Sequence, residues 1–300
     1  MTRTDGVGIL LISNPAAGGT KAEDLRAAVD VLRSGAEVET ATADGPDDVD
    51  RLLDRRAGRR VVIAGGDGSL HLTLARLFAR GELADTPLGL IPLGTGNDFA
   101  RGAGVPLDAV PAARLVLDGM DRPVDLIVDD VGGIVINNVH VGLSSEASRH
   151  GARWKERIGR AGYPLGVLQA AFQAAFRVVV EVDGELAADA DRPVLEVSVG
   201  NGATVGGGLP LNPDADPTDG TMDVIVSRAA GPFSRVTYGF DVVRARHPER
   251  PDVDRYAAAE VTVSGDPFHI CGDGEIDGPT RSRTWRIERR ALTMSLPTGS

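Results

Sequence analysis

Short apolar runs alternate with amphipathic stretches through the first 120 or so residues of the chain. Residues 7–13 form an apolar run ending in Asn14-Pro15, and residues 21–33 carry Leu25, Ala28, Val29 and Leu32 on one helical face. Residues 36–42 predict a second strand, 47–56 a short helix and 60–64 a third strand. A helix over 69–80 follows, with Leu70, Leu74, Leu77 and Phe78 on one side and Ser69 as its N-cap. A strand at 88–92 and a helix at 107–117 complete the pattern, which predicts an open, largely parallel sheet covered by helices.

Past Arg122 the texture changes to strand candidates joined by Gly, Pro and Asp turns. Residues 124–128, 134–141, 177–182, 194–199, 222–227, 259–264 and 268–271 fit strands, interrupted by helices near 144–154, 163–176 and 234–246. The expected fold is therefore an α/β N-terminal domain with a mostly parallel sheet, followed by a mostly antiparallel, β-rich C-terminal domain. The division expected is 1–122 for the first domain and 123–286 for the second. The last strand, 291–296, is expected to return to the first domain with the rest of 287–300.

Composition narrows the partners. With 300 residues and 42% hydrophobic content the chain can bury a large core. A net charge of −11 argues against a sequence-independent nucleic-acid binder. One cysteine, Cys271, excludes an intramolecular disulfide and a cysteine metal cluster, in keeping with a cytoplasmic setting. No signal-peptide pattern opens the sequence, and its most apolar later stretch, 163–182, is broken by Gln169, Gln173 and Arg177, so no transmembrane segment is expected.

Two glycine-rich turns come straight off apolar strands: Gly65-Gly66-Asp67-Gly68-Ser69 and Leu93-Gly94-Thr95-Gly96-Asn97-Asp98. A strand that ends in glycines and runs into a helix presents bare N–H groups that suit phosphate, although the same residues also make plain tight turns. A third loop of this kind, Asn14-Pro15-Ala16-Ala17-Gly18-Gly19, ends the first strand. Three on neighbouring strands point to nucleotide binding rather than to turns alone. There is no Walker sequence and the chain has only two lysines, Lys21 and Lys155, so arginine and a divalent cation must balance phosphate charge. Arg101, one helical turn past Asn97, is the best-placed guanidinium. Later in the chain, Asp214, Asp216 and Asp219 read either as hard oxygen ligands or as an acidic turn, and Asp273, Glu275 and Asp277 either alternate along a strand end or form a solvated hairpin turn.

The set NPAAGG, GGDGS, PLGTGNDFAR, GGGLPLNPDADPTDG and DGE, in that order and over nearly the whole chain, resembles the diacylglycerol kinase catalytic domain family, soluble lipid kinases of NAD kinase/diacylglycerol kinase-like fold. The resemblance implies ATP contacts from Asn14, Pro15, Ala16, Ala17 and Gly18, from Gly66, Gly68 and Ser69, from Thr95 and from Thr42 on the second strand; the glycine turns themselves add Gly65, Gly96, Asn97 and Arg101 as candidate nucleotide contacts. It implies Asp67 and Asp98 near the phosphates and metal, and Asp125 in an acidic network around Mg²⁺. A structural Mg²⁺ would be bound by Asp219 through its side chain, with main-chain oxygens from Asp216 and Thr221. Asp273 would be the general base and Glu275 its acidic neighbour.

The implied activity is ATP-dependent phosphoryl transfer to a lipid hydroxyl, most simply that of diacylglycerol, by a cytoplasmic protein that meets its substrate at the membrane surface. A homodimer is compatible with the sequence. The chain departs from the family pattern at His71 and Leu72, where many relatives carry Asn and Glu, at Gly19, where some carry lysine, and at Ser69, which replaces the commoner threonine. Two alternatives stay open: a kinase of a soluble acceptor such as NAD or a sugar phosphate, since NAD kinases and phosphofructokinases carry a related GGDG turn, and, because of Leu72, a catalytically impaired nucleotide- or lipid-binding protein. The helix at 163–176 reads either as core or as the wall of an acyl-chain cleft. The five histidines show no metal-ligand spacing.

Overall fold

The computed structural model describes residues 8–14, 19–142, 176–229 and 231–298. The chain divides into two compact units. One takes in the chain up to Leu126, the stretch Pro217–Asp219 and the chain from Glu288; the other comprises Ile127–Asp216 and Gly220–Ile287. The helices expected at 144–154 and 163–176 lie outside the described residues except for Phe176, which forms a single bridge to Val194.

In the first unit, strands β1 (Ile9–Ser13), β2 (Val38–Thr42), β3 (Arg60–Gly65) and β4 (Pro87–Pro92) run parallel in the order β2-β1-β3-β4. Each of β1 and β3 is buried along its whole length, as an apolar strand covered on both faces must be. Helices α1 (Gly19–Arg33) and α5 (Ala109–Asp118) pack together over one face, where Ile9, Leu11, Val62 and Ile91 meet Ala28, Leu32, Ala113 and Val116. Helices α2 (Pro46–Asp54) and α3 (Asp67–Ala79) pack on each other, with α3 against β3. The order in which strands are added to the sheet reverses between β1 and β3, so the loops leaving those two strands flank the switch point where ligands of open parallel sheets sit.

Arg60 ties this sheet to later chain. Its buried guanidinium grips both carboxylate oxygens of Asp121 at 2.8 Å and donates to Ser295 Oγ at 2.7 Å and the Leu88 carbonyl at 3.0 Å. Burial alone would raise the Asp121 carboxyl, but the hydrogen bonds and charge of Arg60 bring it below the ordinary range. Strand β5 (Met120–Asp129) starts beside this pair, and the end of the 22-residue β14 (Glu275–Leu296) pairs in parallel with β4 through Thr293 and Met294.

The second unit is antiparallel. Strands β7 (Asn138–Gly142), β10 (Glu196–Gly200), β11 (Met222–Ser227) and β12 (Val253–Ala258) form one run, and β13 (Glu260–Gly272) pairs with β7, with β8 (Val178–Val182) and with β14. Strands β6 (Ile134–Val135) and β9 (Glu185–Ala188) add short ladders to β5 and β8. Alternate residues Val197, Val199, Val224 and Val226 face a valine-rich core with Val261, Val263 and Trp285. On the opposite side, helix α6 (Pro232–Val243) buries Tyr238 and Val242 against Ile225, Leu211 and Val253.

Several sequence expectations change. Ser69 does not cap α3: Gly66 is the N-cap and Ser69 is the third helical residue, its carbonyl accepting from Thr73 Oγ1 at 2.9 Å. The run 134–141 breaks at Ile136-Asn137, where the backbone turns between β6 and β7. The two candidates at 259–264 and 268–271 are one strand with an irregular register. The final strand begins at Glu275 rather than 291, and β9 and β12 were not foreseen. Among the described residues, no helix is long and apolar enough to cross a membrane.

Candidate functional site

The strand register brings the carboxyl ends of the parallel strands to one edge. Ser13 lies beside Thr42 and Ala64, and Gly65 beside Pro92, so Asn14, Thr42, the Gly65–Ser69 turn and the Leu93–Asp98 turn all open from that edge. Asn14 and Thr42 are exposed there; Pro15, Ala16, Ala17 and Gly18 lie outside the described residues.

The two glycine turns interlock. A Cβ on Gly66 would stand 2.8 Å from Gly94 Cα, and one on Gly94 would strike Gly66 Cα and crowd Asn97 Oδ1, so glycine at both positions lets two backbones touch. Leu93 N–H donates to the Gly65 carbonyl at 2.8 Å, continuing the ladder into the turns. Asn97, left-handed at φ 53°, closes its own turn: Oδ1 accepts from Gly94 N–H at 2.9 Å and Nδ2 donates to the Gly94 carbonyl at 3.1 Å. Gly68, in the first turn of α3, is exposed, and a Cβ there would meet nothing within 4 Å.

Two carboxylates stand by these turns. Asp98 is buried at the start of the short helix α4 (Asp98–Gly102), and Asp67 Oδ1 accepts from Phe99 N–H at 3.2 Å, bridging the turns. Burial raises the Asp67 carboxyl above its ordinary range; backbone N–H donors oppose the rise and the like charge of Asp98 adds to it. A divalent cation would relieve that repulsion. Mg²⁺ characteristically takes one or two carboxylates together with substrate phosphates, and two carboxylates are what these turns offer. The donor set thus fits a nucleotide–Mg²⁺ pair better than a free cation. Arg101 is exposed and its Nε donates to the Gly96 carbonyl at 3.0 Å, bracing the loop. Thr95 is exposed at the turn's tip.

Asp125 is buried in β5. Its Oδ1 accepts from Arg290 N–H at 2.7 Å, and its own N–H donates to the Pro217 carbonyl at 2.8 Å, which holds the Pro217–Asp219 stretch in the first unit. Asp219 is exposed in that stretch. Asp216 and Thr221 belong to the second unit, the first exposed and the second half-buried. Asp214 pairs with Arg255 at 2.8 Å.

In the second unit Asp273 sits in the two-residue turn joining β13 to β14, with φ 48° followed by Gly274 at φ 89°, the backbone an Asp-Gly pair favours in tight hairpins. It is therefore not on the strand, and its alternation with Glu275 and Asp277 does not occur; Glu275 is the exposed first residue of β14. Nor is the Asp273 side chain simply solvated. Its Oδ2 accepts from Ile136 N–H at 2.8 Å and its Oδ1 from Asn137 and Asn138 N–H at 3.0 and 3.2 Å. Its own N–H donates to the Asn138 carbonyl at 3.0 Å.

Residues 8–128 match the diacylglycerol kinase catalytic domain, and residues 137–295 match the YegS C-terminal NAD kinase beta sandwich-like domain. The chain belongs to the diacylglycerol kinase catalytic domain family. A Pseudomonas aeruginosa protein named "Probable lipid kinase YegS-like" is 32% identical over 93% of this chain and 91% of its own length. A "Diacylglycerol kinase" of Mycobacterium tuberculosis is 30% identical over 73% of this chain and 71% of its own length. The crystal structure of a diacylglycerol kinase from Bacillus anthracis str. Sterne superposes with a TM-score of 0.77 at 25% identity, covering 96% of each chain.

Within this lipid kinase family member, the seating of Asp273 was hidden from sequence reasoning. Its donors precede it by 135 to 137 positions. Four buried asparagines support them: Asn138 Nδ2 donates to Asn212 Oδ1 at 2.7 Å, Asn201 Nδ2 to the Ile136 carbonyl at 2.8 Å, and Asn201 N–H to the Asn137 carbonyl at 2.8 Å. The available signal was the pair Asn137-Asn138 inside an apolar run, since amides are buried only where hydrogen bonds await them. His140, paired in register with Cys271, is buried with neither ring nitrogen hydrogen-bonded. Burial lowers its pKa to about 4, the nearby Asp273 charge only partly opposing this, so the ring is neutral near pH 7.

Proposed function

We propose that the chain is an ATP- and Mg²⁺-dependent lipid kinase that phosphorylates the primary hydroxyl of diacylglycerol. The observation that carries this reading is the pair of interlocked glycine turns with Asp67 and Asp98 beside them, in a member of a lipid kinase family. The backbone of Gly65–Ser69 and Leu93–Asn97 would hold the nucleotide phosphates, and Asp67 and Asp98 the cation. When bound, ATP–Mg²⁺ supplies the phosphoryl group and neutralises the charge that develops as it transfers. Asp273 would orient the lipid hydroxyl and accept its proton late, a role suited to a weak base fixed in place by backbone donors. Asp125 would act at one remove, by holding Arg290 and Pro217. Asp219, with main-chain oxygens of Asp216 and Thr221, would form a separate structural Mg²⁺ site.

The test is transfer of label from γ-labelled ATP to a panel containing diacylglycerol, sphingosine, NAD and sugar phosphates, with Asp273→Asn alongside. Label is expected on diacylglycerol, falling by about a thousandfold in the variant. Label on NAD or a sugar phosphate overturns the acceptor. An Asp273→Asn protein of unchanged turnover removes that residue from the chemistry.

A further inference from the structure

Helix α6 is apolar on both sides. Tyr238 and Val242, one turn apart, are buried in the second unit. On the opposite side, Phe233, Val236, Phe240 and Val243 follow one another at intervals of three and four residues and share a second stripe. That stripe faces solvent: Phe233 is 81% exposed, Phe240 59% and Val243 63%. The helix is also pinned from within. Arg250 donates to Asp241 Oδ2 at 2.8 Å, to Ser234 Oγ at 2.9 Å and to Thr237 Oγ1 at 3.1 Å, so the outer stripe is presented on a fixed element.

Charge marks what the stripe meets. Arg244 lies over the Phe240 ring, 5.9 Å from its centroid, and Arg246 follows at the same end of the helix; both are exposed. The only acid within the helix, Asp241, is already paired with Arg250 at 2.8 Å. In a chain of net charge −11, this end sets two exposed arginines against one exposed acid, Glu249, beside exposed aromatic rings. We propose that the outer face of α6 docks the protein on anionic phospholipid bilayers, Phe233, Phe240 and Val243 entering the headgroup boundary while Arg244 and Arg246 meet lipid phosphates. Aromatic rings with flanking arginines are the composition of an interfacial helix. Area argues against a second copy of the chain as occupant. A 12-residue helix offers a footprint of about 180 Å², from a length of about 18 Å and a width of about 10 Å, whereas a stable dimer buries about 800 Å² on each partner. The inference rests on the lipid-kinase reading for its purpose but not for its test.

The test is co-sedimentation of the full chain with vesicles of phosphatidylcholine containing phosphatidylglycerol, and with pure phosphatidylcholine. Binding is expected to the former, reduced by about tenfold or more in Phe233→Ser/Phe240→Ser. Arg244→Gln/Arg246→Gln is expected to lose about tenfold in the phosphatidylglycerol-dependent part alone. Phe240→Trp supplies a readout that does not depend on loss: its emission shifts to the blue on vesicles and is quenched by brominated acyl chains. A monomeric short-chain diacylglycerol separates the two readings. If the serine pair still phosphorylates it while failing to bind vesicles, both stand. If the unaltered protein binds vesicles through α6 but never phosphorylates it, only the kinase reading falls. Equal vesicle binding by the serine pair, or conversion of a dimer into a monomer by it with no vesicle binding by either protein, overturns the docking surface.

Discussion

Burial, with the like charge of Asp98 behind it, holds the Asp67 carboxyl above its ordinary range, so at neutral pH the folded protein keeps an anion where it would rather keep an acid. A group whose folded pKa is raised contributes its stability below the unfolded value, and that contribution is lost as pH rises through the folded value. Asp67→Asn is therefore expected to leave the melting temperature unchanged or raise it by about 2 °C near pH 7, since an amide oxygen can still accept from Phe99 N–H. On the proposed reading ATP–Mg²⁺ is expected to raise the melting temperature of the unaltered protein, and the same variant is expected to lose that shift. Calorimetry with and without nucleotide reads both effects. A destabilised variant that still responds to ATP–Mg²⁺ would make Asp67 a strut and no more.

At the level of elements, the contact between the turns after β3 and β4 leaves no room for a single added carbon. Gly94→Ala is expected to lose about 2 kcal/mol or more, because backbone on both sides must move. Gly68→Ala, helical and facing open space, is expected to gain up to about 1 kcal/mol. Urea unfolding of the two variants should give opposite signs; equal losses would mean the turns do not interlock. This part of the molecule was legible in the sequence because strands buried on both faces are uninterrupted apolar runs and glycines at their ends have few other uses. Elements with one wet side were not. The strand Glu185–Ala188 and the exposed half of β14, with Arg281, Arg286, Glu288 and Arg289, carry too many polar residues to read as strands, and β12 places two consecutive charged residues, Asp254 and Arg255, within only six positions. The cradle of Asp273 was illegible for a different reason. A carboxylate's partners can be read locally only when they are local, and those N–H groups come from a turn more than a hundred residues earlier.

For the whole molecule, acid is the weak side. Burial lowers both His140, to about 4, and His247, so between the ordinary histidine value of 6.5 and the folded values the unfolded chain takes up protons that the native protein refuses. Stability is held above pH 6.5 and falls as pH drops toward 4, with a loss of about 3 °C in melting temperature expected between pH 7 and pH 5 from His140 alone. His140→Gln should flatten that limb in a pH series of melting curves; an unchanged slope would place the titration elsewhere. A last consequence concerns the order in which the chain is made. The strand that lies next to β4, with Ser295 under the Arg60 side chain, comes from residues that leave the ribosome after every residue of the second unit. The first unit, though nearly all of it is translated first, cannot close its sheet until the second has been synthesised. A nascent chain halted near residue 280 therefore carries a first unit with an open sheet edge, a natural target for a chaperone.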